Sequence, residues 1–442
     1  MALRALWDRM AFGARAGALL ALERIETGVV YNPIRKAYRA DPYPLYRALQ
    51  RQDPFHRSRL ADGWILSRYD DILTVLGDRS FSADERNWSR WGEIRKRAAR
   101  EGIPDPYEQD EASMLRMDPP DHTRLRSLVS KAFTPRAVEA MRGRIEEVVE
   151  EVLDGLSVAP GSGDRIELVR DFAAPLPITV IAEMLGVPAE DHARFRHWSD
   201  EAVKTLGESS WEEMRAARRA MQELGEYIGE VAERRRLEPR DDLLSRLVAA
   251  EEAGDRLSRD ELFTTCVLLL VAGNETTTKL IGNAVVALLR NPEQLELLRR
   301  EPKRIPGAVD ELLRYDSPVQ LTSRFVTRES TMHANPLVPG QQVVLLLGAG
   351  NRDPEAFEAP DRLDVTRENV RHLSFGQGLH HCLGSRLARL EGALALEALI
   401  ARFPDLRFED AAAGRRQAGR EAGLEWGTNT VLRGPARLVL RV

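Results

Sequence analysis

The sequence predicts a mainly α-helical chain with a minor β part, and three observations carry that expectation. A helical pattern runs from Ser258 to Arg290 without a proline, long for a globular helix. Further helical patterns occupy 134–156, 175–185, 191–206, 210–237 and 385–403. Strand-like pieces are short and few: 56–60, 63–69, 165–169, pieces ending at Arg324 and Val326, 342–347, and two near the C-terminus.

The bulk properties exclude several classes. A chain of 442 residues with 43% hydrophobic and 30% charged residues has ordinary globular composition, enough for one large domain or two or three smaller ones. The net charge of −5, from 64 basic and 69 acidic residues, gives nucleic-acid binding no global electrostatic support. Two cysteines, Cys266 and Cys382, cannot build a disulfide framework, and an intracellular, cytoplasmic protein is expected. No run approaches the roughly 20 apolar residues that span a bilayer. At the N-terminus, Leu3, Leu6, Trp7 and Met10 recur at helical spacing among Arg4, Arg9 and Arg15. Two readings stay open there: a weakly basic amphipathic helix touching a membrane periphery through residues 1–30, or an extra helix packed on the body.

Along the chain, 41–53 reads as a short helix with a proline-marked start, and 69–78 as another. From Phe81 to Asp110 the pattern dissolves into polar, aromatic and basic residues, as in a lid or binding loop. The segment Met117–Arg126 opens a helix behind Pro119 and Pro120, and His122 and Arg126, four apart, share one face able to meet an anion. The charged helices over 191–206 and 210–237 look like a cover.

The central helix starts at a capping box, Ser258 with Glu261. Leu268–Val271 make its first half apolar, so a buried position is expected. Ala272-Gly-Asn-Glu-Thr-Thr-Thr278 follows, a poor choice for a buried helix interior on stability alone. Gly273 permits close approach of something bulky, Thr276 can bond back to a carbonyl, and Glu275 offers an exchangeable proton. Glu311 and Arg314, three apart on a helix, form a weak signal by themselves.

The densest stretch is His372 to Gly384. It holds Gly376, Gly378 and Gly384, three histidines and Cys382, directly ahead of a helical pattern. A cysteine at a helix mouth meets the positive dipole end, which favours thiolate. Glycines free the loop for tight geometry. This is a sulfur placed for a metal.

With the cysteine loop, the central-helix motif and the Glu-x-x-Arg pair in this order, the sequence resembles the cytochrome P-450 family, in its soluble bacterial kind, from Asp41 to Val442. Phe375-Gly376-x-Gly378-x-His380-x-Cys382-x-Gly384 matches the haem loop at every signature position. Ala272-Gly273-x-Glu275-Thr276 matches the oxygen-activation motif. Glu311, Arg314 and, by its Pro-Asp-Arg segment, Arg362 match the structural ion-pair triad, although Leu363 stands where the family often has phenylalanine. His122, Arg126, Arg324 and His372 fall where the family binds the haem propionates.

The resemblance implies one large, triangular, mainly helical P-450-like fold over residues 41–442, with 1–40 as an N-terminal extension. It implies haem b with Cys382 as the axial iron ligand, and Thr276 and Glu275 as the catalytic pair that delivers protons. His380 and His381 would shape the loop and ligate nothing. The substrate would be a small to medium apolar organic molecule, oxidised with O2. Electrons would come to this monomer from a ferredoxin or flavodoxin-type donor with its reductase, docking over Arg124, Lys131, Arg371, Arg386 and Arg389. Three other readings compete. A peroxide-using or isomerising haem-thiolate enzyme would have less need of the Glu275–Thr276 pair. A non-catalytic haem sensor would have little use for a lid and a proton relay. A zinc scaffold on His380, His381 and Cys382 fits structural zinc spacing badly.

Overall fold

Helix Arg259–Arg290 is the axis of the molecule. The computed structural model describes residues 16–100, 102, 113–157, 164–203, 210–252, 258–409 and 423–442. Ser258 accepts the Glu261 N–H at 3.1 Å while the Glu261 carboxylate takes the Ser258 N–H at 2.8 Å, so the capping box closes as the sequence predicts. Around this helix pack Pro175–Met184, His192–Val203, Trp211–Leu237, Ile305–Tyr315 and Ser385–Arg402. Its last turns, Leu280 to Leu288, are wholly buried. Farther forward Leu268, Val271, Glu275 and Thr276 are only partly covered, and Ala272 is exposed.

The two charged helices do cover the axis. Phe195, Trp198 and Ala202 point inward from one, and Ala217, Leu224, Ile228 and Val231 from the other, leaving the charges outside. One expectation is corrected. The stretch read as irregular from Phe81 to Asp110 contains helix Trp91–Arg100, none of whose residues is buried. Trp91, Ile94 and Ala98 do fall at three- and four-residue steps, a narrow apolar line among Glu93, Arg95, Lys96 and Arg97. The rest of that stretch beyond 102, and most of the polar 409–423 insertion, fall outside the described residues.

The β part comprises β1 (Phe55–Ser58), β2 (Gly63–Leu66), β3 (Phe81–Ser82), β4 (Arg165–Glu167), β5 (Thr322–Val326), β6 (Ser330–Met332), β7 (Asn335–Leu337), β8 (Gln342–Leu345), β9 (Arg407–Phe408), β10 (Leu424–Trp426) and β11 (Pro435–Arg441). The main sheet runs β1-β2-β8-β5-β3, with β2 and β8 parallel and the other neighbours antiparallel. It carries its own core of Phe55, Leu66, Val326, Val343 and Leu345.

Residues 16–27 form a helix fixed to the β1–β2 hairpin by one buried carboxylate. Glu23 accepts from Tyr31 N (2.7 Å), Arg59 N (2.8 Å), His56 Nε2 (2.9 Å) and Ser58 Oγ (3.2 Å). Asp53 holds the other imidazole nitrogen at 2.9 Å. Burial pushes the His56 pKa down, but the hydrogen bonds and charges of Asp53 and Glu23 win and raise it to about 9. Burial pushes Glu23 up, yet His56 and the two backbone N–H groups hold it below its ordinary value.

The sign follows directly. The His56 contribution is complete below its ordinary 6.5 and is lost as pH rises through about 9. The Glu23 contribution is present above 4.5 and is lost as pH falls below it. Amide hydrogen exchange at Tyr31 and Arg59, corrected for intrinsic rate, should therefore accelerate at least about tenfold between pH 6.5 and 9.5. Protection that stays flat across that window would show that the imidazolium does not hold the helix.

Candidate functional site

Gly376 and Gly378 adopt φ of +64° and +70°, a region costly for other residues. At Gly378 an added Cβ would also lie 2.4 Å from the Leu76 carbonyl oxygen. These two turns bring the Cys382 N–H onto the Phe375 carbonyl at 2.8 Å, closing the loop. Helix Ser385–Arg402 starts just beyond, capped at Gly384.

The thiol is enclosed by protein yet keeps accessible surface. Burial pushes the Cys382 pKa up, against the opposing pull of the Gly384 N–H and of Arg126 and Arg389. Thiolate is thus not favoured by the polypeptide alone, contrary to the helix-mouth argument, because desolvation outweighs the dipole. A bound cation reverses that balance, since a coordinating thiol is deprotonated outright. Cys266 is a plain core residue, buried and pushed up to about 12.

Ala272 keeps accessible surface although its helix is otherwise largely enclosed. The Thr276 hydroxyl donates to the Ala272 carbonyl at 2.7 Å, the back-bond the sequence suggests, which leaves its oxygen lone pairs to accept from a ligand or water. Glu275 lies beside Lys279, Oε1 to Nζ 2.9 Å, and Lys279 also reaches the Pro435 carbonyl at 3.1 Å. A Cβ at Gly273 would meet Ile181 at an ordinary 3.8 Å, so no protein neighbour demands glycine there.

Four cationic or imidazole groups gather near the cysteine loop, and they are not quite the four expected. His122, Arg126 and Arg324 come together; His372 does not join them. Its Nε2 binds Asp310 at 2.9 Å and its Nδ1 accepts the Ser374 N–H at 3.1 Å, so both ring nitrogens are already used. His380 takes its place. Its ring sits 4.2 Å from that of His122, and its Nε2 is buried without a partner. Burial together with Arg324, His122 and Arg126 pushes its pKa down to about 3. The His122 Nδ1 is likewise orphaned.

Among the described residues neither Arg126 nor Arg324 has a carboxylate ion-pair partner, and burial pulls Arg324 down to about 10. A buried and a half-buried guanidinium beside orphaned imidazole nitrogens suit carboxylates. Two propionates fit this set. Gly384, with nothing within 4 Å of an added Cβ, and Gly376, with only the His380 carbonyl oxygen at 3.8 Å, leave open space beside the sulfur for a flat ring.

The ion-pair triad is present with one exchange. Arg314 and Glu311 are both fully buried and bidentate, at 2.7 and 2.8 Å. The Arg362 side chain is exposed; only its carbonyl participates, accepting from Arg314 at 3.1 Å. Arg367 supplies the third cation, 3.3 Å from Glu311. The turn Ala359–Arg362 aims the Arg362 carbonyl inward and so turns its side chain out.

Sequence reasoning also missed Glu391. It is buried on Ser385–Arg402, hydrogen-bonded to Thr277, and pushed by burial up to about 8. A glutamate inside the Leu387–Leu390–Leu394 stripe was the available signal. The same holds for His380, whose flanking glycines and cysteine drew attention to the loop and away from its side chains.

Known proteins resemble the chain along nearly its whole length. A sequence model described as Cytochrome P450 matches residues 90–404. The polyketide biosynthesis cytochrome P450 PksS of Bacillus subtilis is 37% identical over 413 residues, covering 92% of this chain and 97% of that protein. Its solved structure superposes with a TM-score of 0.82 over 93% of this chain and 99% of its own. The 6-deoxyerythronolide B hydroxylase of Saccharopolyspora erythraea is 41% identical over 374 residues, 84% of this chain and 90% of that one. P450BioI, solved in complex with hexadec-9Z-enoic acid ligated acyl carrier protein, matches with a TM-score of 0.80 at 33% identity, over 92% of this chain and 99% of its own. With a family model matched over most of its length and relatives this similar along nearly the whole chain, the chain belongs to the cytochrome P450 family, a haem protein with cysteine-thiolate ligation of the iron.

Proposed function

We propose that this haem-thiolate monooxygenase oxidises C–H bonds of apolar organic molecules of small to medium size, with Cys382 as the axial ligand. The observation that carries the assignment is the accessible sulfur of Cys382 beside a cluster of His122, Arg126, Arg324 and His380 whose two guanidinium groups have no carboxylate partner among the described residues. The bound haem supplies O2 activation and insertion of one oxygen atom. The polypeptide supplies the rest. Arg126, Arg324, His122 and His380 hold the propionates, and a carboxylate brought to the His380 Nε2 raises its low pKa. The Thr276 oxygen accepts a hydrogen bond on the open side of its helix. Glu275 exchanges protons once it leaves Lys279, and Glu391, near Thr277, holds a proton in reserve at neutral pH.

Thr276→Ala should leave the haem spectrum unchanged while product per electron pair falls on the order of 100-fold, with peroxide appearing instead. Peroxide and product would be measured together; unchanged coupling would remove Thr276 from proton delivery.

The relatives support an apolar substrate: PksS belongs to polyketide biosynthesis, another acts on 6-deoxyerythronolide B, and P450BioI holds a fatty acyl carrier protein. Optical titration of the ferric protein with 6-deoxyerythronolide B and hexadec-9Z-enoic acid tests this directly. A shift of the Soret band on binding supports the assignment. Silence toward both compounds, with shifts only for small charged molecules that lack an apolar body, would refute it.

For the electron donor, a ferredoxin or flavodoxin-type protein acting on a monomer, Lys131, Arg371 and Arg386 are exposed on the cysteine side. Arg124 and Arg389 contribute less, being tied to Glu261 and Asp310. A cytoplasmic site with peripheral membrane contact through residues 1–30 completes the proposal.

A further inference from the structure

One carboxylate ties the two ends of the cysteine loop together. Asp310 lies on helix Ile305–Tyr315, one residue ahead of Glu311. Its Oδ1 accepts from His372 Nε2 at 2.9 Å and from Arg389 Nε at 2.7 Å. His372 enters the loop, and Arg389 sits in the second turn of the helix that leaves it. Burial, against the pull of Asp310, keeps the His372 pKa below its ordinary value, so the ring is neutral. Its Nδ1 accepts the Ser374 N–H, which places the one ring proton on Nε2, facing Asp310.

Phe375 lies between these two side chains. Its ring centroid is 5.3 Å from that of His372 and 4.5 Å from the Arg389 guanidinium carbon. Its carbonyl is the acceptor of the Cys382 N–H. Holding His372 and Arg389 in place therefore holds the residue on which the loop closes. Arg389 has two anchors besides Asp310, the Phe375 face and the Ser385 carbonyl at 3.3 Å, and these keep it at the loop when the charge at 310 is removed.

The charges matter as much as the geometry. Arg126 and Arg389 are the cations whose field reaches the Cys382 sulfur. Arg126 donates to the His381 carbonyl at 2.6 Å, whereas Arg389 is offset by an anion. Burial pushes the Asp310 carboxyl up, but His372 and Arg389 hold it below its ordinary value, so it is ionised at neutral pH. Both side chains are partly buried, and salt screens them incompletely. A fixed cation beside an iron ligand favours the reduced metal and a fixed anion the oxidised one, because reduction adds negative charge.

We infer that Asp310 and Arg389 form a charge pair that sets the reduction potential of the thiolate-bound iron, with Asp310 the positioning residue that holds Arg389 and Phe375 against the cysteine loop. The inference rests on Cys382 as the axial ligand and adds a role that the monooxygenase assignment does not contain.

The test is the midpoint potential of the full-length, haem-loaded protein, titrated with redox dyes and without any donor protein. Asp310→Asn keeps an oxygen able to accept both hydrogen bonds and removes the charge. The ratio of reduced to oxidised iron at a fixed solution potential should then rise about threefold or more, roughly 30 mV. Arg389→Gln should lower the ratio by a similar factor, and the double variant should fall between the two. A merely structural Asp310 would change the melting temperature and leave the potentials in place, or move both single variants in the same direction; either result overturns the inference. Loss of the red-shifted CO band in Asp310→Asn would overturn it as well, since the hydrogen bonds survive that change. Failure of the ligand assignment reads differently: the unaltered reduced, CO-bound protein would itself lack the red-shifted band.

Discussion

Cys382→Ser is expected to abolish monooxygenase activity while leaving the fold in place. The side chain packs into no core cluster, and the loop is closed by the backbone bond from its N–H to Phe375, which serine retains. The sulfur's role is electronic: a thiolate ligand pushes electron density toward the iron and favours O–O cleavage, which a serine oxygen does poorly. Turnover should fall on the order of 1,000-fold or more, equivalent to roughly 4 kcal/mol of barrier. The reduced CO-bound protein should lose the red-shifted Soret band of thiolate ligation. Haem should still be retained in part, because the proposed propionate contacts of His122, Arg126, Arg324 and His380 do not depend on the thiol. A red-shifted band in the serine variant would disprove the ligand assignment outright.

The second large effect concerns stability. Arg314 is wholly buried and donates to Glu311, to the Asn351 carbonyl at 2.9 Å, to the Pro360 carbonyl at 2.8 Å and to the Arg362 carbonyl. It also lies 5.3 Å from the Phe357 ring centroid. Arg314→Ala strips the buried Glu311 carboxylate of its bidentate partner, leaving it only Arg367, and orphans three carbonyls. Breaking a buried pair in this way costs about 3–5 kcal/mol, a large share of the roughly 5–15 kcal/mol that holds a domain folded. The variant should express mostly insoluble, and any soluble fraction should carry little haem. Glu311→Leu/Arg314→Met should be destabilised by less than the sum of the single changes, because neither member of the bidentate pair is left buried without the other. Additive losses would mean the two residues act separately. The ion pair stabilises the turn at 359–362 and, through Asn351, the Leu373 backbone that enters the cysteine loop at 2.6 Å.

Exposed surface limited what could be read from the amino-acid order. Helix Trp91–Arg100 buries nothing, and its short line of Trp91, Ile94 and Ala98 is thin among charged neighbours. The long axis, by contrast, announces itself through its capping box, its apolar first half and its lack of proline. Its threonines also behaved as local chemistry dictates, since the Thr276 back-bond depends only on a carbonyl four residues earlier. The cysteine loop was legible for a similar reason: glycine at positive φ is a local demand.

The propionate cluster shows where local reasoning stopped. His372 and His380 are both histidines of the same short stretch, and nothing in their spacing says which ring finds a carboxylate elsewhere in the fold. Asp310, 62 residues upstream of His372, captures one ring, and His122, far back in the chain, packs tilted against the other. Arg367 displacing the Arg362 side chain from Glu311 is the same kind of decision.

The N-terminal segment divides along that line as well. The sequence by itself determined its amphipathic spacing, the helix types, the metal-ready cysteine and the resemblance that names the cofactor. Only the tertiary structure decided which face of the first helix is spent on Glu23 and which remains outside, and which of several cations and imidazoles converge. Helical periodicity and glycine conformation are set by neighbours within a few residues. Partner choice among charged side chains is set by long-range packing, which places groups hundreds of residues apart within hydrogen-bond reach and leaves the rest to solvent.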